Sequence, residues 1–288
     1  MRLVNDFFDY QLLDMANGEK LEKWGKYTLV RPDPQIIWPV KTQKEEIWKN
    51  VDAIYHRSKS GGGAWEILKE IKTPFYVKYH NLTFCLKLMG FKHTGLFPEQ
   101  ATNWNMLEKI IKNSNRPLKV LNLFAYTGAA SVVALNAGAS VVHVDSSKGM
   151  VEWAKENVLV NHLEDKPIRF IIDDCLKFVK REIRRGNKYD IILMDPPSFG
   201  RGSKKEVWNI EDSLYELIKN CEELMSNNFE LFLINSYSTG LSKTVLENIL
   251  NLTIKKKQKG TISSDEIGIP LKDTNLILPC GVTAYWEK

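Results

Sequence analysis

The residues in this chain able to do chemistry gather at two acidic turns, one glycine-ended turn and one proline corner. Asp145 closes the apolar run Val141-Val142-His143-Val144 and is followed by Ser146. A carboxylate there can accept two hydrogen bonds from a ribose diol, with the added strength of a charged acceptor. Asp173 and Asp174 close the next run, Ile168 to Ile172, where either acid can accept from an exocyclic adenine amine. Upstream, Asn122-Leu123-Phe124-Ala125-Tyr126-Thr127-Gly128 turns from an apolar run into a stretch of small residues. That suits a helix whose N-terminus takes a single carboxylate. The glycines of G-x-G-x-x-G are missing, which disfavours a dinucleotide, and nothing reads G-x-x-x-x-G-K-[ST]. An acid for a ribose, an acid for an adenine amine and a helix N-terminus for a carboxylate together describe S-adenosylmethionine (SAM). Taken singly, each acid also suits a helix N-cap.

The proline corner is Asp195-Pro196-Pro197-Ser198-Phe199, after the apolar run Ile191 to Met194. Two prolines remove two N–H donors and leave carbonyls to point into a cleft, where they could hold a flat nitrogenous ring. Asp195 could take a proton or hydrogen bond from a nucleophile, and Phe199 could stack on the ring face. A bare D-P-P is also an ordinary end to a strand. Beyond it, Gly200 to Trp208 is basic, and Arg201, Lys204 and Lys205 could reach phosphates from a lid; a solvated loop is the alternative. His143, inside an apolar run, reads as a core residue rather than a base. Lys255-Lys256-Lys257-Gln258-Lys259 reads as a solvated face or an RNA backbone contact. Trp24, Trp38, Trp48 and Trp65 read as core mass or a stacking platform.

These residues need a framework, and the pattern supplies one. From about residue 98, apolar strands alternate with helical stretches, the mark of a parallel sheet covered on both faces. Residues 252–288 hold β-like segments without strong helices between them. The expectation is an α/β fold: a doubly wound, mostly parallel, Rossmann-like seven-stranded sheet with an antiparallel edge, spanning 93–288. Before it, residues 1–92 read as a small β-rich domain able to dock a substrate. Within that domain Phe75 to Tyr79 and Leu82 to Leu88 read as strands joined by a His80-Asn81 turn.

Composition sets the outer bounds. The chain has 288 residues, 43% hydrophobic and 26% charged, which excludes disorder and fibrous classes. No run approaches the ~18 apolar residues of a membrane helix, and the start shows no signal-peptide core. A cytoplasmic protein with no membrane partner is expected. Four cysteines lie far apart, with no C-x-x-C and no neighbouring His, so no metal is expected. A net charge of +5 permits a polyanionic partner. Oligomeric state leaves no trace in the sequence.

The segments Asn122 to Gly128, Asp145, Asp174 and Asp195 to Phe199 resemble the class I SAM-dependent methyltransferases, and among them the bacterial family of 23S ribosomal RNA methyltransferases. Gly95-Leu96-Phe97-Pro98-Glu99-Gln100 is similar to that family's segment ahead of the core, which implies that Phe97 and Gln100 line the cofactor pocket. Gly200-Arg201-Gly202 to Glu206-Val207-Trp208 is similar to a subgroup with a small N-terminal β domain. The resemblance implies SAM as cofactor, S-adenosyl-L-homocysteine as product and ribosomal RNA as partner. It departs at one point: cytosine-C5 enzymes attack the base with a cysteine in the loops after the fourth or fifth strand. Here those loops read Asp195-Pro196-Pro197-Ser198-Phe199 and Asn235-Ser236-Tyr237-Ser238. Transfer to a nucleobase nitrogen is therefore expected. A small-molecule or protein methyltransferase, or a non-catalytic SAM-fold binding module, stands as the alternative.

Overall fold

The computed structural model describes all residues except 59–61, 202–206 and 239. The chain divides into two compact units. One comprises Met1–Arg2, Asn103–Ile267 and Gly281–Lys288; the other comprises Leu3–Thr102 and Gly268–Cys280.

The N-terminal unit is built mainly on antiparallel pairing, with one parallel pair at Leu29–Val30 against Ala53–Ile54. After the two-residue β1 (Arg2–Leu3) come β2 (Tyr10–Ala16), β3 (Glu19–Trp24), β4 (Tyr27–Pro32), a short helix α1 (Glu45–Lys49), β5 (Ala53–Arg57) and β6 (Gly63–Ile67). Strands β2 to β6 form one sheet in sequence order. A second pair, β7 (Phe75–Tyr79) and β8 (Leu82–Leu86), is joined at His80, whose φ of 50° is left-handed, as its two-residue turn requires. The β2–β3 turn is Asn17-Gly18, both at positive φ. Trp24 and Trp48 are buried core residues, and Trp38 and Trp65 are half-buried. The four indoles build the interior rather than an exposed platform. Inside the same unit, Arg31 grips the buried Glu22 through Nε at 2.6 Å and Nη2 at 2.8 Å, and Tyr10 donates to Glu22 at 2.7 Å. Burial pushes Glu22 up, but Arg31 and Lys20 outweigh it and hold the carboxyl down at about 2.

The larger unit follows the expected alternation: α2 (Ala101–Asn113), β9 (Lys119–Leu123), α3 (Ala129–Asn136), β10 (Ser140–Asp145), α4 (Lys148–Val160), β11 (Ile168–Ile172), α5 (Cys175–Arg184) and β12 (Ile191–Met194). A hairpin, β13 (Phe199–Arg201) with β14 (Val207–Asn209), precedes α6 (Ile210–Cys221). Then come β15 (Leu231–Ser236), α7 (Lys243–Leu252), α8 (Ile254–Lys257), β16 (Thr261–Pro270) and β17 (Ile277–Glu287). The sheet has eight strands, ordered β1-β16-β17-β15-β12-β9-β10-β11. Strands β15 to β11 run parallel, and β17 pairs antiparallel with β15. The sequence predicts seven strands; the eighth is β1, too short to show a period.

Strand order reverses beside β9, since the chain moves from β9 to β10 on one side and later returns to place β12 on the other. The loops after β9 and β12 therefore diverge at a switch point, where open α/β sheets bind ligands. The register sorts the side chains further. Leu121, Leu123, Val142, Val144, Ile192, Met194, Phe232, Ile234, Ala284 and Trp286 share one face and pack with α5, α6 and α7 in a hydrocarbon core. The alternate positions carry Asn122, His143, Asp145, Asn235 and Thr283, so the polar groups of the strands are collected on the opposite face.

Candidate active site

The loop after β9 is fixed by bonds from three neighbouring elements, β10, α4 and α5. Phe124 N–H donates to the Cys175 sulfur at 3.3 Å, Ala125 N–H to the Val144 carbonyl at 3.0 Å, and Tyr126 N–H to Asp145 Oδ2 at 2.9 Å. The buried Asn157 of α4 donates to the Thr127 carbonyl at 2.8 Å. Phe124, Tyr126 and Gly128 have φ of 52°, 51° and 83°. Two side-chain-bearing residues in the left-handed region cost on the order of 1 kcal/mol each, which the surrounding bonds offset. At Gly128 a Cβ would lie 2.8 Å from the Cβ of Ala154, so α3 starts where only glycine lets it lie against α4. Gly128 caps α3 without a side chain, leaving the first-turn N–H groups without a side-chain acceptor. Such an end takes an anion.

Asp145 stands beside this loop. Its Oδ1 accepts from Ser147 N–H at 2.8 Å and its Oδ2 from Tyr126 N–H at 2.9 Å. Burial pushes its carboxyl up, the two amides pull it back, and the net result is above the ordinary carboxylate range. A carboxylate has about four acceptor positions, so each oxygen keeps a lone pair after these bonds. The cap of α4 is Ser147, whose side chain accepts from Met150 N–H, not Asp145. Ser146 lies between them, half-buried. An uncapped helix N-terminus and a partly desolvated carboxylate at adjacent strand ends fit the carboxylate and ribose of SAM.

The other candidates have partners within their own units. Asn122 is buried, and its amide donates to Ser131 Oγ at 3.0 Å, which in turn lies 3.0 Å from His143 Nδ1. This set ties β9 and β10 to α3 rather than lining a cleft. Burial alone pushes His143 down to about 3, so the ring is a neutral core group. Asp174 caps α5 by accepting from Lys177 N–H at 2.9 Å, and Asp173 pairs with Arg181. Phe97 and Gln100 lie in the N-terminal unit, at the ends of a 3-10 turn, with the Phe97 ring 5.0 Å from that of His93.

The loop after β12 differs from expectation in its carbonyls. The Pro197 carbonyl accepts from Trp208 Nε1 at 2.7 Å, and the Ser198 carbonyl accepts from Ile210 N–H at 3.0 Å. Each is already engaged by one donor, because the buried indole of Trp208 and the start of α6 need acceptors. The segment expected as a lid or solvated loop is a hairpin in its described parts. Lys204 and Lys205 lie outside the described residues; Arg201 contributes its backbone to β13. Phe199 is 58% exposed at the hairpin base, and Trp208 on the opposite face packs on Phe124 at 4.8 Å between ring centroids. The sequence reading missed the partners across from this corner. Asn235 donates to Asp195 Oδ1 at 3.2 Å, and the hydroxyls of Ser198 and Ser238 lie 2.7 Å apart. Their signal was Asn235 and Ser236 closing an otherwise apolar strand.

Residues 52–247 match the family described as S-adenosylmethionine-dependent methyltransferase. The chain belongs to that family. A SAM-dependent methyltransferase from Agrobacterium tumefaciens superposes with a TM-score of 0.93 at 37% identity, covering 99% of this chain and 92% of that one. Two curated relatives are called ribosomal RNA large subunit methyltransferase K/L. The one from Shewanella frigidimarina is 34% identical over 61% of this methyltransferase and 24% of its own length. That from Pseudoalteromonas atlantica is 30% identical over 81% and 30%. The chain thus spans 24% and 30% of the length of these two relatives. SAM is its cofactor. Among its described residues no helix is long and apolar enough to cross a membrane.

Proposed function

We propose that this methyltransferase modifies a nucleobase nitrogen in large-subunit ribosomal RNA. The observation that carries the reading is the placement of Asp195 and exposed Phe199 after β12, next in the sheet to the β9 loop and on the same carboxyl edge as Asp145. Bound SAM supplies an electrophilic methyl group. Asp145 and the N-terminus of α3 hold its ribose and carboxylate; Ala125, Thr127 and Gly128 shape the loop between them. Pro196 and Pro197 stiffen the corner, Phe199 stacks on the base, and Asp195 accepts the proton released by the attacking nitrogen. A base inside folded RNA has to be turned out of its stack to reach this corner. All four cysteines are buried and none lies in the loops after β12 or β15, which favours nitrogen over covalent cytosine-C5 chemistry. The names of the curated relatives support the RNA substrate.

RNA from a strain deleted for this gene, incubated with labelled SAM and digested to nucleosides, tests the proposal. The expected product is an N-methylated nucleoside from the large subunit. The Asp195→Ala variant should bind SAM normally while transfer falls by 10²-fold or more, the scale of a lost general base. Label in protein or small molecules but not RNA would overturn the substrate; C5-methylcytidine would overturn the acceptor atom.

A further inference from the structure

Asp195, half-buried, stands at one end of a row of polar side chains that crosses the sheet and is buried in its middle. Arg2 Nη1 donates to Asn103 Oδ1 at 2.7 Å, Asn103 Nδ2 donates to Thr283 Oγ1 at 3.1 Å, and Thr283 Oγ1 donates to Asn235 Oδ1 at 2.8 Å. Asn235 Nδ2 then donates to Asp195 Oδ1 at 3.2 Å. The row follows the strand register: Asn235 pairs with Thr283, and Met194 pairs with Ile234 one step before Asp195 meets Asn235. Asn103, Asn235 and Thr283 are 4%, 1% and 0% exposed.

The direction of every bond is forced. A guanidinium only donates and a carboxylate only accepts, so each amide and hydroxyl between them has one orientation that satisfies both neighbours. Reversing any member leaves buried polar atoms facing like partners, which is costly in a dry interior. We propose that Asn235, held by Thr283 and Asn103, is a positioning residue that fixes the direction of the Asp195 carboxylate toward the methyl acceptor. The row is not needed for strand cohesion: Asn235 and Thr283 already sit in a paired backbone register, and most of their neighbours on the other face of these strands are apolar. The inference rests on Asp195 being the acid of the transfer reaction.

The test compares Asn235→Ala, Thr283→Val and Thr283→Ser with Asp195→Ala in the full chain. SAM affinity by calorimetry should stay within twofold of wild type for all four. Methyl transfer to RNA from the deletion strain should fall 10- to 100-fold in kcat for Asn235→Ala, with KM for RNA little changed, the size expected for a misdirected catalytic group. Thr283→Val should lose several-fold, and Thr283→Ser, which keeps the hydroxyl, should restore the rate. Crystal structures of Asn235→Ala and Thr283→Val should show the Asp195 carboxylate rotated or in two positions within an unchanged fold. Full activity in Asn235→Ala beside an inactive Asp195→Ala overturns the positioning role and leaves the acid assignment standing. An active Asp195→Ala overturns the acid assignment and this inference with it. If wild-type protein transfers nothing to RNA, the substrate proposal fails, and the crystal structures decide: an unmoved Asp195 carboxylate in both variants overturns the row's role.

Discussion

Asp145 gives the residue scale its sharpest consequence. Both oxygens accept a backbone N–H, so in Asp145→Asn the amide NH₂ must face one of those N–H groups whichever way it turns. Losing a charged acceptor and creating this clash should weaken SAM binding about 10- to 100-fold by calorimetry. The pH dependence follows from the same burial. Since its carboxyl titrates above the ordinary Asp range, and the diol needs the ionised form, SAM affinity should begin to fall on acidification at a higher pH than an unperturbed aspartate would impose. The raised value has the opposite sign for folding: the buried charge weakens the fold above the folded pKa, and protonation relieves that cost. The acid was legible because it terminates an apolar run. Its two amide partners were not, because they arise from the left-handed turn at Tyr126, which no residue type there announces.

At the scale of elements, α5 separates two jobs that one acid could hold. Asp174 caps the helix through Oδ1, and Asn caps nearly as well as Asp while Ala does not. Asp174→Ala should therefore cost about 1 kcal/mol in chemical denaturation, and Asp174→Asn almost nothing. If the carboxylate also receives an adenine amine, Asp174→Asn should weaken SAM binding without loss of stability; unchanged affinity leaves the cap as its role. The elements themselves were unequally readable. Parallel strands such as Ile191–Met194 bury both faces and announce themselves as apolar runs. The β13–β14 hairpin did not, because its strands are only three residues each. Strands β2 and β3 were also passed over, although Asn17-Gly18 is a strong turn signal, because Asp14 and Glu22 interrupt the apolar pattern. Both acids are fully buried against donors, Asp14 on Trp48 and Thr42 and Glu22 on Arg31.

Across the whole molecule, two histidines set the response to acid. Burial holds His143 at about 3, and burial with Arg31, Lys92 and Lys20 holds His93 at about 3 in the other unit. Both rings are neutral in the fold and gain a proton when it opens, so their contribution is complete above about pH 6.5 and is lost as the pH falls toward 3. Each ring should remove roughly 1.4 kcal/mol per pH unit inside that window. Urea midpoints at pH 7, 6 and 5 should fall progressively, and His143→Leu should flatten part of the slope; a flat wild-type profile would contradict the burial of both rings. Glu22, lowered from 4.5 to about 2, adds its own loss only at the acid end of this window, below about pH 4.5. Trp208 has a consequence of a different kind. Its indole donates to the Pro197 carbonyl while its ring lies on Phe124, so one fluorophore is wired to both loops that must meet a nucleoside and a base. Among the eight tryptophans of the chain, the part of the emission that Trp208→Phe removes reports, without any added label, when either loop changes its surroundings.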